Sequence, residues 1–280
     1  MKKNKPYLCS QSELVSGGWA LLGAPLDETG SYKKGASGGP DAIRRASDCL
    51  EEYCPVCDNS LEDIAFADLG NVKMPYKELE KAQNNIGQAV TSILDKNARP
   101  LLLGGEHTVS VAAIKELAKR NEELCVIQLD AHADLRQTYD NTPLSHACAM
   151  RRALDVIDPA NLFQVGIRSG TREEWQWMRS HYTVYPPTIE AIKVICDKVG
   201  NKPVYLTIDL DVLDPSVMPG TGTPEPGGIS YQELEQMLFT IKTLNIVAAD
   251  VVELAPLLDF NAISEVVAAK VVRSLLLMFD

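Results

Sequence analysis

The chain is poor in aromatic residues and in histidine, and it has no long apolar run. Aromatic residues make up 6% of its 280 residues, and only four residues are histidine. No stretch reaches the roughly 18 apolar residues that cross a bilayer, and no apolar signal region follows the basic N-terminus. The seven cysteines are odd in number and scattered, which does not indicate a disulfide framework. These absences predict a cytoplasmic protein with no membrane partner.

Positive charge is also scarce. The chain has 27 Lys and Arg against 38 Asp and Glu, which gives a net charge of −11. A charge of this sign argues against a nucleic-acid partner. It favours the approach of small cationic molecules, although an acidic surface also serves solubility alone.

The length allows one or two domains, and a hydrophobic content of 45% is ample for a large core. No internal repeat or low-complexity linker interrupts the chain. The loop richest in proline and glycine, residues 214–228, follows a predicted strand and is typical of an active-site loop rather than a linker. We therefore predict a single domain over residues 1–280.

Apolar segments rich in β-branched residues alternate with amphipathic segments along the chain. The apolar segments are nearly continuous, which indicates strands covered on both faces. The amphipathic segments carry apolar residues at spacings of three and four, and Ser230 with Glu233 forms a capping-box signature. We predict an α/β fold, a three-layer α/β/α domain with a mostly parallel sheet. The predicted strands are residues 19–23, 64–68, 100–103, 124–129, 161–166, 204–208 and 246–252, and the predicted helices are residues 76–97, 109–121, 188–199, 230–244 and 263–278.

Three polar clusters directly follow predicted strands. In open α/β sheets, ligands bind beyond the carboxyl ends of the strands, so the three clusters are predicted to share one site. Two of the four histidines lie in these clusters, and a third follows closely. The clusters are Gly104-Gly105-Glu106-His107, Asp130-Ala131-His132-Ala133-Asp134 and Asp209-Leu210-Asp211.

The spacing within the clusters indicates metal ligands. In an extended backbone, positions i, i+2 and i+4 share a face, so Asp130, His132 and Asp134 are predicted to converge. Asp209 and Asp211 repeat the i, i+2 spacing. Together with His107 they bring together carboxylates that would repel one another without cations. Two divalent ions would remove that repulsion, which points to metal-assisted hydrolysis.

The predicted ligands are rich in carboxylates, include two imidazoles and contain no thiolate. This set suits Mn²⁺ better than structural zinc, but ligand composition leaves Zn²⁺, Co²⁺ and Ni²⁺ open. The glycines before His107 permit backbone angles that other residues resist. A phosphate-binding loop is the rival interpretation of Gly104 and Gly105, but no Lys-Ser/Thr pair follows.

These motifs resemble those of the ureohydrolases, the family that includes arginases and agmatinases. The likeness covers nearly the whole chain in order and includes Thr207 to Pro215 and Pro219 to Pro224. It implies the arginase-like fold and two Mn²⁺ per chain. By this resemblance, one ion binds His107, Asp130, Asp134 and Asp209, and the other binds His132, Asp130, Asp209 and Asp211, so that Asp130 and Asp209 bridge the pair.

Two further residues match catalytic groups of that family. Glu253 corresponds to a glutamate that binds the guanidinium group, and a carboxylate can pair with two guanidinium N–H groups. His146 corresponds to a general acid/base histidine that moves protons to the leaving amine. Each residue also has a plain structural interpretation, Glu253 as an acidic residue at a strand end and His146 as a surface histidine that opens a helix.

Within the family, the resemblance is to agmatinases. Residues 135–146 lack the arginase pattern that binds an amino-acid head, and residues 31–36 and 166–170 are also agmatinase-like. Ala147 follows His146 where arginases have glycine. The resemblance implies a small cationic guanidino substrate, agmatine, cleaved to putrescine and urea by a homotrimer or hexamer. Guanidinobutyrate, arginine or a formimino compound stay open as alternative substrates.

Two other classes of protein compete with this prediction. Zinc amide hydrolases of the deacetylase type share this fold family but use fewer metal ligands, and His107 together with Asp211 argues for two metals. An inactive, regulatory metal-binding subunit is the alternative that is not an enzyme. The complete ligand set, with Glu253 and His146, argues against it.

Overall fold

The computed structural model describes residues 5–280, so residues 1–4 of the predicted domain and of the basic N-terminus lie outside the described residues. The strands are β1 (Trp19–Ala24), β2 (Tyr53–Cys54), β3 (Asn59–Ser60), β4 (Phe66–Asn71), β5 (Arg99–Gly104), β6 (Cys125–Leu129), β7 (Leu162–Val165), β8 (Val184–Tyr185), β9 (Pro203–Asp209) and β10 (Asn245–Val252). The helices are α1 (Gly39–Ser47), α2 (Leu79–Leu94), α3 (Val109–Ala118), α4 (Ala149–Ala153), α5 (Arg172–His181), α6 (Ile189–Val199), α7 (Tyr231–Ile241) and α8 (Ile263–Met278).

One parallel sheet organises the fold. Within residues 5–280 it has eight strands in the order β4-β1-β5-β10-β9-β6-β7-β8. Each neighbouring pair of these strands runs parallel. Strands β2 and β3 form a separate antiparallel hairpin. The predicted parallel sheet is therefore confirmed.

Helices cover both faces of the sheet. Leu101 and Leu103 of β5 belong to the core under α1, α6, α7 and α8. Leu102, between them, belongs to the core under α2, α3 and α4 on the other face. Successive strand residues point to opposite faces, so a strand buried on both sides must be apolar throughout. The three-layer α/β/α arrangement is confirmed.

The predicted elements are all present, with ends that differ by a few residues. Helix α7 begins with the predicted capping box between Ser230 and Glu233. The prediction missed α1, α4, α5 and the short strands β2, β3 and β8. Helix α4 has five residues and is too short for a clear period, whereas α5 is strongly polar and buries only Glu174 and Met178. No helix within residues 5–280 is long and apolar enough to cross a membrane.

The glycine pair before His107 has a different cause from the predicted one. Neither Gly104 nor Gly105 has a positive φ in the described structure. A Cβ on Gly105 would instead overlap the backbone of Leu26. Gly105 N donates to Ala24 O at 2.8 Å, and Gly105 O accepts from Glu253 N at 2.9 Å. Close packing, against backbone at Gly105 and against the Val252 side chain at Gly104, therefore requires glycine here rather than backbone angle.

Candidate metal centre

The candidate site lies at the carboxyl ends of four neighbouring strands, β5, β10, β9 and β6. His107 follows β5, Glu253 follows β10, and Asp130 follows β6, while Asp209 is the last residue of β9. Strands β9 and β6 pair as far as Ile208 and Leu129, so the two aspartate segments leave the sheet side by side. This is the edge of an α/β sheet where ligands bind.

The six predicted metal ligands converge there and form what we call the cleft floor. Five of them lie in two overlapping groups, each with ligand atoms within 4.8 Å of one another. Asp130 belongs to both groups. Asp209 adjoins the first group, with its Oδ2 3.4 Å from His107 Nδ1. The first group is His107, Asp130 and Asp134, and the second is Asp130, His132 and Asp211.

His107 is buried and its Nδ1 faces carboxylates. Asp130 Oδ2 lies 3.1 Å from this nitrogen and Asp134 Oδ2 lies 3.0 Å from it. None of the surrounding oxygens forms a well-aligned hydrogen bond with Nδ1, which is unpartnered although it is buried. An unpartnered buried nitrogen is costly. Several oxygens that surround one imidazole nitrogen in this way match the donor arrangement around a shared cation.

His132 is the more accessible of the two histidines. Its side chain is 26% exposed, and its Nδ1 lies 2.8 Å from Asp211 Oδ2. The same nitrogen is 3.9 Å from Asp130 Oδ1. The backbone N of His132 donates to Asp130 Oδ1 at 2.6 Å, and this hydrogen bond fixes the Asp130 carboxylate, which both groups share, beside His132.

Turns, rather than continuous strands, bring two of the carboxylates into place. His132 pairs with Ser169 in an isolated parallel bridge, as an extended segment would. Asp134, however, has a φ of 53°, in the left-handed region. Asp211 lies in a 3-10 turn, and its backbone N donates to Asp209 Oδ1 at 2.9 Å. The predicted extended geometry is therefore wrong at Asp134 and Asp211, although the predicted convergence occurs.

Burial and crowding of charge perturb the titration of the cleft floor. Burial and the charges of Asp211 and Asp134 raise the pKa of Asp130 to about 7. Burial and the charges of Asp211 and Asp130 also hold the pKa of Asp209 well above its ordinary value. Burial lowers the pKa of His132, but the bond to Asp211 outweighs burial and the pKa rises to about 10. Protons on these groups thus offset the same repulsion that cations would offset.

A hydroxyl and a carboxylate fix the ring of His107. Its Nε2 lies 2.8 Å from Thr207 Oγ1, and that hydroxyl donates to Asp250 Oδ1 at 2.6 Å. Because the hydroxyl proton goes to Asp250, the oxygen accepts from Nε2–H. In the neutral ring the lone pair is then on Nδ1, as a metal ligand requires.

Other polar contacts orient the carboxylates. Gln128 Nε2 donates to Asp130 Oδ2 at 2.7 Å, and Gln164 Nε2 donates to Gln128 Oε1 at 2.7 Å. Arg168 joins the turn that contains Asp211 to the loop that contains Glu225, because its Nη2 donates to Asp211 O at 2.6 Å and to Glu225 O at 2.7 Å. The carboxylates of the floor are therefore held before any ion binds.

Glu253 lies beside the first ligand group. Its Oε1 accepts a hydrogen bond from His107 N at 2.7 Å. Burial and the charge of Glu106 hold its pKa well above the ordinary value. Its φ of 67° is unusual for a residue other than glycine and places the strand end in a sharp turn. A carboxylate with one oxygen anchored can use its other lone pairs to bind a cation.

His146 lies on the side of the same cleft, in the 3-10 turn His146–Cys148. Its backbone N donates to Thr29 Oγ1 at 3.0 Å, and its Nδ1 lies 3.2 Å from the same oxygen. Thr29 in turn is bound to Glu106, which lies one residue before His107. The predicted catalytic histidine is therefore near the floor but outside both ligand groups.

Loops form the rest of the cleft, which we call the cleft wall. The guanidinium of Arg136 lies 4.9 Å from the ring centroid of Tyr139, and its Nε lies 3.9 Å from Glu174 Oε2. Tyr139 packs edge-on against His146, with 5.7 Å between ring centroids. The wall thus combines hydroxyls, aromatic surface and one positive charge, and the carboxylate of Glu174 lies beside that charge. Its members are Ser31, Arg136, Tyr139, His146, Thr171 and Thr223.

The cleft floor fits a binuclear metal site. Carboxylate and imidazole are the donors that Mn²⁺ and similar ions accept, and a shared carboxylate joins the two groups. A second, independent observation is that His107 Nδ1 is buried without a hydrogen-bond partner, so its lone pair is available to a metal ion. One ion could bind the first group with the adjoining Asp209, and another could bind the second group, Asp130, His132 and Asp211.

The prediction missed the residues that support the ligands. Thr207 belongs to the motif from Thr207 to Pro215, but its contact with His107 spans 100 residues of sequence. Asp250 and Gln128 lie inside predicted strands with no motif around them, and Thr29 belongs to no motif either. A buried polar residue inside an apolar strand, as at Asp250, was the available signal.

Comparison with known proteins places this geometry in a family. Residues 18–278 match the model of the Arginase family. An agmatinase of Bacillus cereus is 40% identical over 277 residues, which cover 98% of this chain and 96% of that protein. An agmatinase of Bacillus subtilis is 39% identical over 280 residues, with coverage of 98% and 96%. The agmatine ureohydrolase of Thermoplasma volcanium has a TM-score of 0.88 at 29% identity and covers 98% of this chain and 94% of its own.

The family match extends over nearly the whole sheet and contains every residue of the cleft floor. Relatives of this identity align from end to end rather than over one motif. The chain belongs to the arginase family.

Proposed function

We propose that this chain is a Mn²⁺-dependent hydrolase that cleaves the guanidino group of agmatine and releases putrescine and urea. The observation that carries the proposal is the pair of ligand groups joined through Asp130, at the floor of a cleft that also contains Glu253 and His146. The two Bacillus agmatinases support the choice of substrate.

The six residues of the cleft floor would hold two Mn²⁺ ions, with Asp130 and Asp209 shared between them. Bound there, the ions would offset the carboxylate charges and activate water for attack on the guanidinium carbon. The supporting contacts of His107 and Asp130 would keep the ligands in place without reorganisation.

Glu253 would bind and orient the substrate. Its carboxylate can accept two N–H groups of a guanidinium, a strong charge-assisted pairing. Burial and the charge of Glu106 oppose its ionisation, so a bound cation would restore the charged form. Fixing the guanidinium next to the ligand groups would make the reaction effectively intramolecular.

His146 would transfer protons. When the bond between the guanidinium carbon and the alkyl nitrogen breaks, the leaving amine must gain a proton. An imidazole on the side of the cleft, outside both ligand groups, is free to donate that proton and to recover it from solvent.

Urea release tests the proposal directly. The Mn²⁺-loaded chain is given agmatine, arginine and guanidinobutyrate in parallel assays. We expect release of urea from agmatine, and we expect putrescine as the second product. Urea from none of the three compounds would overturn the proposed function.

Guanidinobutyrate is the second candidate substrate, because Arg136 places a positive charge on the cleft wall. A cation there would attract a substrate carboxylate and repel the ammonium group of agmatine. The carboxylate of Glu174, 3.9 Å from Arg136 Nε, reduces that charge. The assay ranks the two substrates by kcat/KM.

We also propose that residues 1–280 form one domain, and that the protein is cytoplasmic and assembles as homotrimers or hexamers. The end-to-end likeness to agmatinases supports the single domain, and the resemblance of the motifs to the ureohydrolases is the basis for the other two proposals. Light scattering of the purified protein measures the mass of the assembly, and a monomer would contradict that part.

A further inference from the structure

We propose that Thr29 and Glu106 are positioning residues that keep the ring proton of His146 on Nδ1 and leave Nε2 as the atom that exchanges protons. The inference rests on the role proposed above for His146. It concerns two residues that lie 77 positions apart in the sequence and meet beside the cleft.

The contacts of Glu106 fix the direction of the hydroxyl proton of Thr29. Glu106 is buried, and its Oε1 accepts from Thr29 Oγ1 at 2.8 Å and from Thr108 Oγ1 at 2.8 Å. Its Oε2 accepts from Thr29 N at 2.7 Å. A carboxylate only accepts, and a hydroxyl has a single proton, so the proton of Thr29 Oγ1 points at Glu106.

The lone pairs of Thr29 Oγ1 then face His146. One accepts from His146 N at 3.0 Å, and His146 Nδ1 lies 3.2 Å from the same oxygen. A lone pair opposite a ring nitrogen favours a proton on that nitrogen. The neutral ring therefore has Nδ1–H, and its free lone pair is on Nε2.

A second histidine of the site is held in the same way. Thr207 donates its proton to Asp250 and faces Nε2 of His107, just as Thr29 donates to Glu106 and faces Nδ1 of His146. The two pairs place the ring proton on different nitrogens, Nε2 in His107 and Nδ1 in His146. His107 thereby keeps Nδ1 for the ligand group, whereas His146 keeps Nε2 for proton transfer.

Two neighbours of His146 do not replace this contact. Ser145 Oγ lies 3.3 Å from Nδ1, but no charged group directs its proton in the described contacts. Tyr139 packs against the ring edge-on and limits its rotation without choosing a tautomer. The choice therefore depends on the Thr29–Glu106 pair.

The tautomer is measured by nitrogen NMR of the full chain without metal, labelled with ¹⁵N-histidine, at a pH where His146 is neutral. Four histidines give a simple spectrum, and the His146→Ala variant identifies the signals. We expect Nδ1–H in the wild type and in Thr29→Ser, and a shift of population towards Nε2–H in Thr29→Val. An Nε2–H ring in the wild type, or an unchanged spectrum in Thr29→Val, would overturn the proposal.

Kinetics of the Mn²⁺-loaded protein test whether the contact matters to turnover. Loss of one directed hydrogen bond in Thr29→Val should lower kcat about tenfold, with KM nearly unchanged and the metal content kept. Thr29→Ser should recover most of the rate. Thr91→Val is the matched control, since Thr91 Oγ1 also donates to a glutamate, Glu116, in a half-buried contact between α2 and α3 away from the cleft.

A double variant separates positioning from general damage. If Thr29 acts through His146, adding Thr29→Val to His146→Ala should change kcat little, whereas independent effects would multiply. Multiplied effects would show that Thr29 acts elsewhere and would overturn the proposal. Failure of the wild type to release urea would overturn the proposed function instead, and the NMR measurement would still decide the tautomer.

Discussion

The cleft floor and the cleft wall are built from different kinds of structure. Five of the six floor side chains are buried, and the six lie at or just beyond the ends of three central strands, β5, β6 and β9. The wall side chains are half-buried or exposed and come from loops. Groups on a rigid scaffold can be held accurately, whereas loops vary more readily. The comparison suggests that the floor fixes the reaction and the wall selects the substrate.

The two regions also differ in charge. The floor brings four carboxylates and two imidazoles together, and it tolerates them by raising the pKa of Asp130 to about 7 and that of His132 to about 10. The wall contains one guanidinium, one imidazole and several hydroxyls, and the carboxylate of Glu174 adjoins the guanidinium. Cations should therefore stabilise the floor strongly, while the wall should respond to the charge of the substrate.

The largest effect should come from Asp130, the carboxylate that both groups of the floor share. Asp130→Ala should lose both ions together with all measurable activity, because Asp130 belongs to both ligand groups. Metal content per chain and urea release measure the two losses. Asp197→Ala, an exposed aspartate on α6, is the control and should change neither. An Asp130→Ala variant that keeps two metals and near-normal turnover would show that the groups are not joined there.

A change on the wall should leave the metals alone. His146→Ala should lower kcat roughly 10²–10⁴-fold, the usual contribution of a general acid or base, and should keep two ions per chain. Urea release and metal content are measured on the same sample. Full activity would remove His146 from the mechanism, and loss of metal would show that the separation of floor from wall is wrong.

The sequence could predict the floor because its ligands repeat at short spacings just after apolar strands. It also predicted the layers of the fold, since strands buried on both faces must be apolar throughout. It could not predict that Asp134 and Asp211 enter through turns, because a two-residue spacing does not distinguish a strand from a tight turn.

The supporting contacts were harder to predict because they join distant parts of the chain. The contact between Thr29 and His146 spans 117 residues, and that between Thr207 and His107 spans 100. Neither hydroxyl has a local pattern that distinguishes it from a turn or strand residue. Packing of β1, β5, β9 and β6 in one sheet brings these segments together.

The pH dependence of stability should be a smaller effect, and it belongs to the floor. The pKa of His132 is raised from 6.5 to about 10, so its contribution to the stability of the metal-free protein is complete below 6.5 and is lost as the pH rises towards 10. The raised pKa of Asp130 has the same sign, but its contribution is lost mostly between pH 3.8 and about 7, so His132 accounts for the loss above pH 7. The Tm of the metal-free protein should thus fall by several degrees between about pH 7 and pH 9.

Thermal unfolding with and without Mn²⁺ measures this slope. Bound ions should replace the protons, so the metal-loaded protein should lose much less stability over the same pH range. Asp211→Asn removes the partner that raises the pKa of His132 and should flatten the metal-free curve. A metal-free Tm that rises with pH would contradict the titration inferred for the floor.

The smallest effect should be on substrate choice at the wall. Arg136→Gln removes a half-exposed cation whose attraction or repulsion is worth about 0.2–1 kcal/mol. We expect kcat/KM to rise for agmatine and fall for guanidinobutyrate, each by about two- to fivefold, and both changes should shrink at high salt. Arg120→Gln is the control, because Arg120 pairs with Asp95 away from the cleft. Equal changes in kcat/KM for both substrates would mean that Arg136 acts by supporting Tyr139 and not by its charge on the substrate. The wall would then select substrates by shape.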